Sequence, residues 1–219
     1  MSLTKFQKSI LNWYHKNGGK NLPWQQNISA YRVWISEIML QQTQVVTVIP
    51  YYERFMSSFP TVRDLAEATQ DVLMEHWAGL GYYSRARNLH QTAKMIISEF
   101  QGIFPSEIDD LVKLPGIGRT TAGAIKSLAF NQRGPILDGN VKRVLSRYHK
   151  IGGWSGSSKT NQTLWFHADK HTPNTHAREY TQAIMDIGAT VCKKNNPCCT
   201  SCPIHEKCKA LMENEVLSY

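Results

Sequence analysis

For its first 191 residues this chain has no cysteine; the five it has lie between Cys192 and Cys208. A secreted disulfide framework spreads its cysteines along the chain and follows a signal peptide. The N-terminus does not read as the apolar region of such a leader, because Lys5, Gln7, Lys8 and Asn12 interrupt its apolar positions. Nor does any run of about 18 apolar residues exist to span a bilayer. These absences argue against a membrane partner and point to the cytosol, with cysteines reduced or bound to metal. Acidic side chains are scarce as well: 17 Asp and Glu stand against 25 Lys and Arg, a formal charge of +8 over 219 residues. An excess of that size favours a polyanionic partner. Period-two alternation, internal repeats and low-complexity tracts are also missing, which leaves an all-α fold as the expectation.

What the sequence does contain is helical spacing. Leu3, Phe6, Ile10, Trp13 and Tyr14 recur every three or four residues until Gly18, Gly19 and Pro23. Ser29 is placed to cap a helix through Val33, Trp34, Ile38 and Leu40, and Pro50 is expected near the start of the next one. Short helices follow over 61–68 and 71–77, then a longer one over 86–100. Ser106 is expected to cap a helix over 107–114. Further helices are expected over 119–130, 140–150, 164–168 and 178–189.

Leu111 to Ala129 reads as two helices joined by the tight turn Leu114-Pro115-Gly116-Ile117-Gly118. Glycine supplies backbone angles closed to other residues, while Leu114 and Ile117 tie the turn to a core. The second helix starts at once, so its free N–H groups and dipole make a site for one phosphate. Arg119 and Thr120 stand at that point. Such a contact positions a protein on a nucleic acid without reading sequence. An ordinary helical hairpin is the competing reading.

The cysteines follow the spacing Cys192-x6-Cys199-x2-Cys202-x5-Cys208, with Cys198 as an extra thiol. Four thiolates in so short a segment suit a soft metal centre. Zinc sites usually have two close pairs separated by a longer loop. Here only one pair is close, a layout suited to an iron–sulfur cubane wrapped by a single segment. Zinc stays open as the alternative. Lys193, Lys194, Lys207 and Lys209 make the surrounding tail a phosphate-facing patch.

With hairpin and cysteines in hand, the chain resembles adenine DNA glycosylases of the MutY type, within the helix–hairpin–helix base-excision superfamily that includes endonuclease III. The resemblance runs from about residue 11 to 208. It rests on Leu22-Pro23-Trp24, on the run from Trp34 to Gln44 and on Gly79-Leu80-Gly81-Tyr82-Tyr83. The hairpin turn, the segment from Ile136 to Arg143 and the cysteine spacing complete it. It implies a two-lobed helical fold: a six-helix barrel over 22–133, and a lobe combining 1–21 with 134–219 around a [4Fe–4S] cluster on Cys192, Cys199, Cys202 and Cys208. Double-stranded DNA would lie in the cleft between the lobes with the target adenine turned out of the stack. A monomer is expected.

The resemblance also assigns roles. Glu37 becomes the general acid that protonates adenine, and Asp138 stabilises the cationic sugar. Gln41, on the same helix face one turn beyond Glu37, and Asn140 support these carboxyl groups. Tyr82 wedges beside the opposing base, and Gln42 fills or reads the space around it. Leu40, Trp24 and Lys142 join the DNA-contacting set, with Gly116, Gly118, Arg119 and Thr120 at the hairpin. Read without the resemblance, Glu37 is a surface glutamate, Asp138 a helix cap and Tyr82 a packing residue. Thr120 stands where bifunctional relatives have a Schiff-base lysine, so base removal without strand cleavage is expected.

The expected activity is excision of adenine mispaired with 8-oxoguanine or guanine. The alternatives are a same-fold glycosylase for mismatched thymine or a damaged pyrimidine, and a DNA-binding module without catalysis. Proteins of the MutY type continue into a Nudix-like domain that recognises 8-oxoguanine; such a domain is expected to be absent, since the sequence ends at Tyr219.

Overall fold

A computed structural model describes residues 2–18, 22–154 and 156–219. Among these residues every regular element is helical. Among the described residues no helix is long and apolar enough to cross a membrane. The chain divides into two compact units, one of Asn21–Phe130 and one joining Met1–Lys20 to Asn131–Tyr219.

The first helix, α1 (Lys5–Asn17), starts at a reciprocal cap: Thr4 Oγ1 accepts from Gln7 N–H, and the Gln7 side chain accepts from Thr4 N–H. It ends at Gly18. Gly19 lies outside the described residues.

The Asn21–Phe130 unit runs through α2 (Ala30–Leu40), α3 (Val45–Ser58), α4 (Val62–Glu67), α5 (Gln70–Trp77), α6 (Ser84–Phe100), α7 (Ile108–Leu111) and α8 (Arg119–Ala124). Ser29 caps α2 by accepting from Arg32 N–H. Pro50 lies well inside α3 rather than near its start, so one N–H of that helix is missing from the ladder. Glu107, not Ser106, occupies the cap of α7, which is a single turn. After α8 the backbone widens into a π-helical turn, Ile125–Ala129. The core gathers Trp34, Ile35, Met39, Tyr52, Phe55, Leu65, Leu73, Trp77, Leu89 and Ile96, all fully buried. At about 1.5–3 kcal/mol for each large side chain removed from water, this set dominates the unit's stability.

The second unit packs α1 against α11 (Ala177–Asp186), with α9 (Gly139–His149) touching α10 (Ser158–His171), α11 and α12 (Lys209–Met212). The helix expected over 164–168 proves longer at both ends. Its first half, Ser158 to Thr163, is polar and starts at the Ser157 cap, so no apolar period marks it. A π-helical turn, Ile187–Val191, continues α11 and delivers Cys192.

Candidate active site and metal centre

Glu37 is the single acidic residue of α2. Its helix buries Val33, Trp34, Ile35, Ser36, Ile38 and Met39, and Glu37 itself is half-buried. A carboxyl on so enclosed a helix is not part of a solvated face. Gln41 does not share that helix. It is the C-cap, with φ −60° and ψ 113°, so the chain has already turned extended. The physical reason lies in Arg85, a residue the sequence gave no reason to single out.

The Arg85 guanidinium is buried and donates to six acceptors. Nη1 reaches the carbonyls of Ile38 (2.8 Å), Met39 (2.9 Å) and Gln41 (2.7 Å). Nη2 reaches Thr43 Oγ1 (3.2 Å) and the carbonyls of Leu80 (3.2 Å) and Gly81 (3.3 Å). Those carbonyls belong to the end of α2 and to the loop before α6, where Gln42 and Tyr82 stand. Both Gln42 (φ 57°) and Tyr82 (φ 47°) adopt left-handed backbone, which costs about 1–3 kcal/mol per non-glycine residue unless the surroundings enforce it. Tyr82 is 57% exposed, and Arg85 lies 5.3 Å from its ring centre and 5.3 Å from that of Trp77. Two exposed, strained side chains are therefore fixed by one buried cation.

Trp24 takes a packing role. It is buried and meets Tyr52 edge-on at 5.4 Å, leaving little of it for a DNA contact. Leu40 is half-buried against the same core. At the hairpin, Gly116 has φ +77°, and a Cβ there would stand 2.9 Å from Asn88 Cβ, so both angle and space require glycine. Thr92 Oγ1 donates to the Pro115 carbonyl at 2.8 Å and ties the turn to α6. Gly118 caps α8 and faces open space. Arg119 is exposed beside it and Thr120 half-buried.

In the other unit Asp138 is the N-cap of α9, its Oδ1 accepting from Val141 N–H at 2.7 Å. Burial pushes its carboxyl up from the ordinary value. The backbone N–H groups of Val141 and Asn140 and the charges of Arg143 and Lys142 oppose that rise without cancelling it. Asn140 Oδ1 accepts from Arg143 Nη2 at 2.9 Å. The same guanidinium donates to the Gly188 carbonyl (2.6 Å) and, through Nε, to that of Cys192 (2.7 Å). Gly188 permits this approach, since a Cβ there would come within 2.6 Å of Asn140 Cβ.

Cys192, Cys198, Cys199, Cys202 and Cys208 line one small cavity together with Arg147, Val191, His205, Leu211 and Val216. All five are free thiols. Cys198 is exposed and the other four half-buried, which separates the extra cysteine from the set of four. Burial pushes the thiols of Cys199 and Cys208 up, and that of Cys202 up to about 12. Such thiols become thiolates only when a cation compensates the charge. Arg147 supplies part of that compensation. It is 2% exposed, and its Nη1 lies 3.4 Å from Cys192 Sγ and 2.7 Å from the Lys193 carbonyl. A soft, thiol-rich donor set around a cavity, with His205 and a buried guanidinium beside it, fits a thiolate-bound metal centre. Among the described residues, no three cysteines gather their sulfurs within 4.8 Å of one another.

The HhH-GPD superfamily model, described as a base excision DNA repair protein, matches residues 35–168. The chain belongs to that superfamily. It is 49% identical to an adenine DNA glycosylase of Buchnera aphidicola subsp. Schizaphis graminum, over 100% of this chain and 63% of that protein. It therefore spans less than two thirds of that relative's length. In structure it is similar to a thermostable thymine-DNA glycosylase, with a TM-score of 0.85, 25% identity and 95% of each chain covered. A non-covalent endonuclease III–DNA complex matches with a TM-score of 0.76 and 24% identity, over 97% of this chain and 99% of that one.

Proposed function

We propose that this chain is a monofunctional adenine DNA glycosylase, excising adenine opposite 8-oxoguanine or guanine from duplex DNA. The observation that carries the reading is the 49% identity to an adenine enzyme over the whole chain. The single carboxyl of a mostly buried helix and the half-buried carboxyl at the start of α9 support it. The likeness to a thymine-DNA glycosylase favours a second reading, mismatched thymine as substrate, but at 25% identity it is the weaker support.

In this mechanism Glu37 donates a proton to N7 of the adenine. The glycosidic bond then breaks with its electron pair leaving on N9, and positive charge develops on the sugar. Asp138 answers that charge; a carboxylate held in a desolvated position gains most from a cation forming beside it. Water adds to the anomeric carbon and loses a proton, which gives an abasic site with both strands intact. Asn140 and Arg143 keep the start of α9 in register. Tyr82 and Gln42 act at the base pair, where a wedge offsets the few kcal/mol that extrusion costs. Gly116, Gly118, Arg119 and Thr120 take a backbone phosphate at the hairpin, and Lys142 joins the DNA-contacting set near Asp138.

Cys192, Cys199, Cys202 and Cys208 would hold a [4Fe–4S] cluster, whose contribution here is structural cross-linking of the segment that follows α11. Arg147 and the main chain around it set the position of those thiolates.

A single-turnover assay with enzyme in excess tests the function. Duplexes carry adenine opposite 8-oxoguanine or guanine, with thymine–guanine, thymine-glycol and fully paired controls. Adenine release that leaves strands uncut before alkali, and falls about 10²–10⁴-fold in Glu37→Gln, is the expected result. Thymine release without adenine release would move the reading to the second substrate. DNA binding without release of any base would leave a non-catalytic module.

A further inference from the structure

The unit formed by the two chain ends has a second group of metal-ligating side chains, apart from the cysteines. His149 is the last residue of α9, and His167 and His171 lie one turn apart on α10. Taking one ring nitrogen from each, the three imidazoles bring their nitrogens within 4.8 Å of one another. His149 and His171 face each other, Nε2 to Nε2, at 2.8 Å. His149 stacks on His167 with ring centres 3.7 Å apart. All three are half-buried. Two ring nitrogens on a tetrahedral zinc stand roughly 3.3 Å apart, given metal–nitrogen bonds of about 2.0–2.1 Å. To reach it, the His149 and His171 nitrogens must separate from 2.8 Å, and the stacked His149 and His167 rings must swing apart until their in-plane lone pairs converge.

A hydrogen bond between two neutral imidazoles would account for the 2.8 Å contact by itself. It leaves His167 unexplained, because its Nδ1 is buried with no hydrogen-bond partner. Buried polar atoms without partners are rare, and an ion is one of the agents that satisfy them.

We propose that His149, His167 and His171 bind one divalent late-transition cation of the Zn²⁺, Ni²⁺ or Cu²⁺ class, with water or an anion completing the coordination. Imidazole suits these ions, and the neutral ring is the ligand form. Burial and the neighbouring rings and lysines hold His149 at about 3 and His171 at about 4, so both keep a lone pair at neutral pH. Lys170 and Lys209 carry positive charge toward the cluster and oppose a cation, which lowers the expected affinity. A bound ion would clip the C-terminal end of α9 to α10, at the opposite end of the helix from Asp138.

The test uses untagged, iron-replete protein titrated with Zn²⁺ by calorimetry, with zinc K-edge absorption on the product. The expected result is one zinc per chain in a nitrogen and oxygen shell, a raised melting temperature, and affinity reduced at least tenfold in His167→Gln. No saturable zinc binding, equal affinity in His167→Gln, or zinc–sulfur scattering near the ~2.3 Å of a thiolate site would each overturn the proposal. His171 packs on the Phe6 ring at 3.9 Å, so changes there risk the fold, and His167 is the better position to vary. Should His167→Gln lose iron or helicity, Cu²⁺ bound to the unmodified protein decides. Resonance with nitrogen couplings from three imidazoles supports the site, and fewer than three overturns it.

Discussion

Between Asn21 and Phe130 the interior is aromatic: Trp24, Tyr31, Trp34, Tyr52, Phe55, Phe59 and Trp77 are all buried. Among the described residues of the other unit, Phe6 and Tyr180 are the only buried aromatics, and Arg147, Asp186, Thr172 and Thr181 are buried with them. Arg147 donates to the carbonyls of Lys193 (2.7 Å), Lys194 (3.1 Å) and Tyr219 (3.1 Å). Arg133 does the same work nearer the start of the unit, reaching the carbonyls of Thr172 (3.2 Å) and Asp169 (2.6 Å). Aromatic burial dominates the first unit, where Arg85 is the buried guanidinium; the other unit has a mostly aliphatic core, with guanidinium groups binding loop carbonyls and a chain end beside the cysteines. The first mode tolerates changes of partner if volume is kept. The second depends on geometry and charge, since a buried donor or charge left alone costs more than the bond was worth.

The largest effect expected from this contrast is confined to one side. With the proposed cluster in place, removing iron or replacing Cys202 with Ser should unfold the cysteine segment, because thiolate metal sites supply on the order of 10 kcal/mol to small domains. Hydrogen exchange should then show protection lost over 187–219 and kept over 30–125; uniform loss would erase the distinction. Next in size, Leu73→Ala opens a cavity in the aromatic core and should cost about 2–5 kcal/mol in urea unfolding, with iron content unchanged. Arg85→Lys keeps the charge but not the fork, and should cost about 1.5–3 kcal/mol. It should also slow base release without altering which base is released; unchanged rates would mean that Gln42 and Tyr82 hold their places without it.

The smallest effect has the opposite sign. The native pKa of Asp138 lies above its ordinary value because of burial. A group of that kind favours folding only while protonated; the stability is full below the unfolded pKa and is lost as pH rises through the native one. Asp138→Asn keeps the cap, since Asn and Asp serve that position equally. It should therefore melt higher than the unmodified protein at neutral pH, the gap closing in acid, while adenine release collapses. A lower melting temperature at neutral pH would show that the ionised carboxylate stabilises the fold.

Much of this architecture was legible in the sequence. Helical spacing and the Ser29 cap located α2, and the hairpin glycines and cysteine spacing marked their own elements. The departures have separate causes. Nothing in Leu40-Gln41-Gln42 breaks a helix; the break comes from Arg85, more than forty residues away, which draws off the carbonyls of Ile38, Met39 and Gln41. Carbonyls have no residue type, so an arginine that binds them leaves no pattern to read. Pro50 was read as a boundary because proline usually is one. Trp24 meets Tyr52 edge-on, a partner that its neighbours in the motif do not reveal. On α10, His167 and His171 have visible one-turn spacing, but their companion arrives from the end of α9.

Arg85 also sets a rule for anyone who would re-engineer this scaffold. The segment ending α2 and the loop before α6 share one set of hydrogen bonds, so they form a single cassette. Moving either loop into a relative without the other, or without the arginine, would transplant letters without their grammar. A library that randomises Gln42 and Tyr82 while holding Arg85 constant should therefore return far more folded variants than one that spreads the same number of changes across all three.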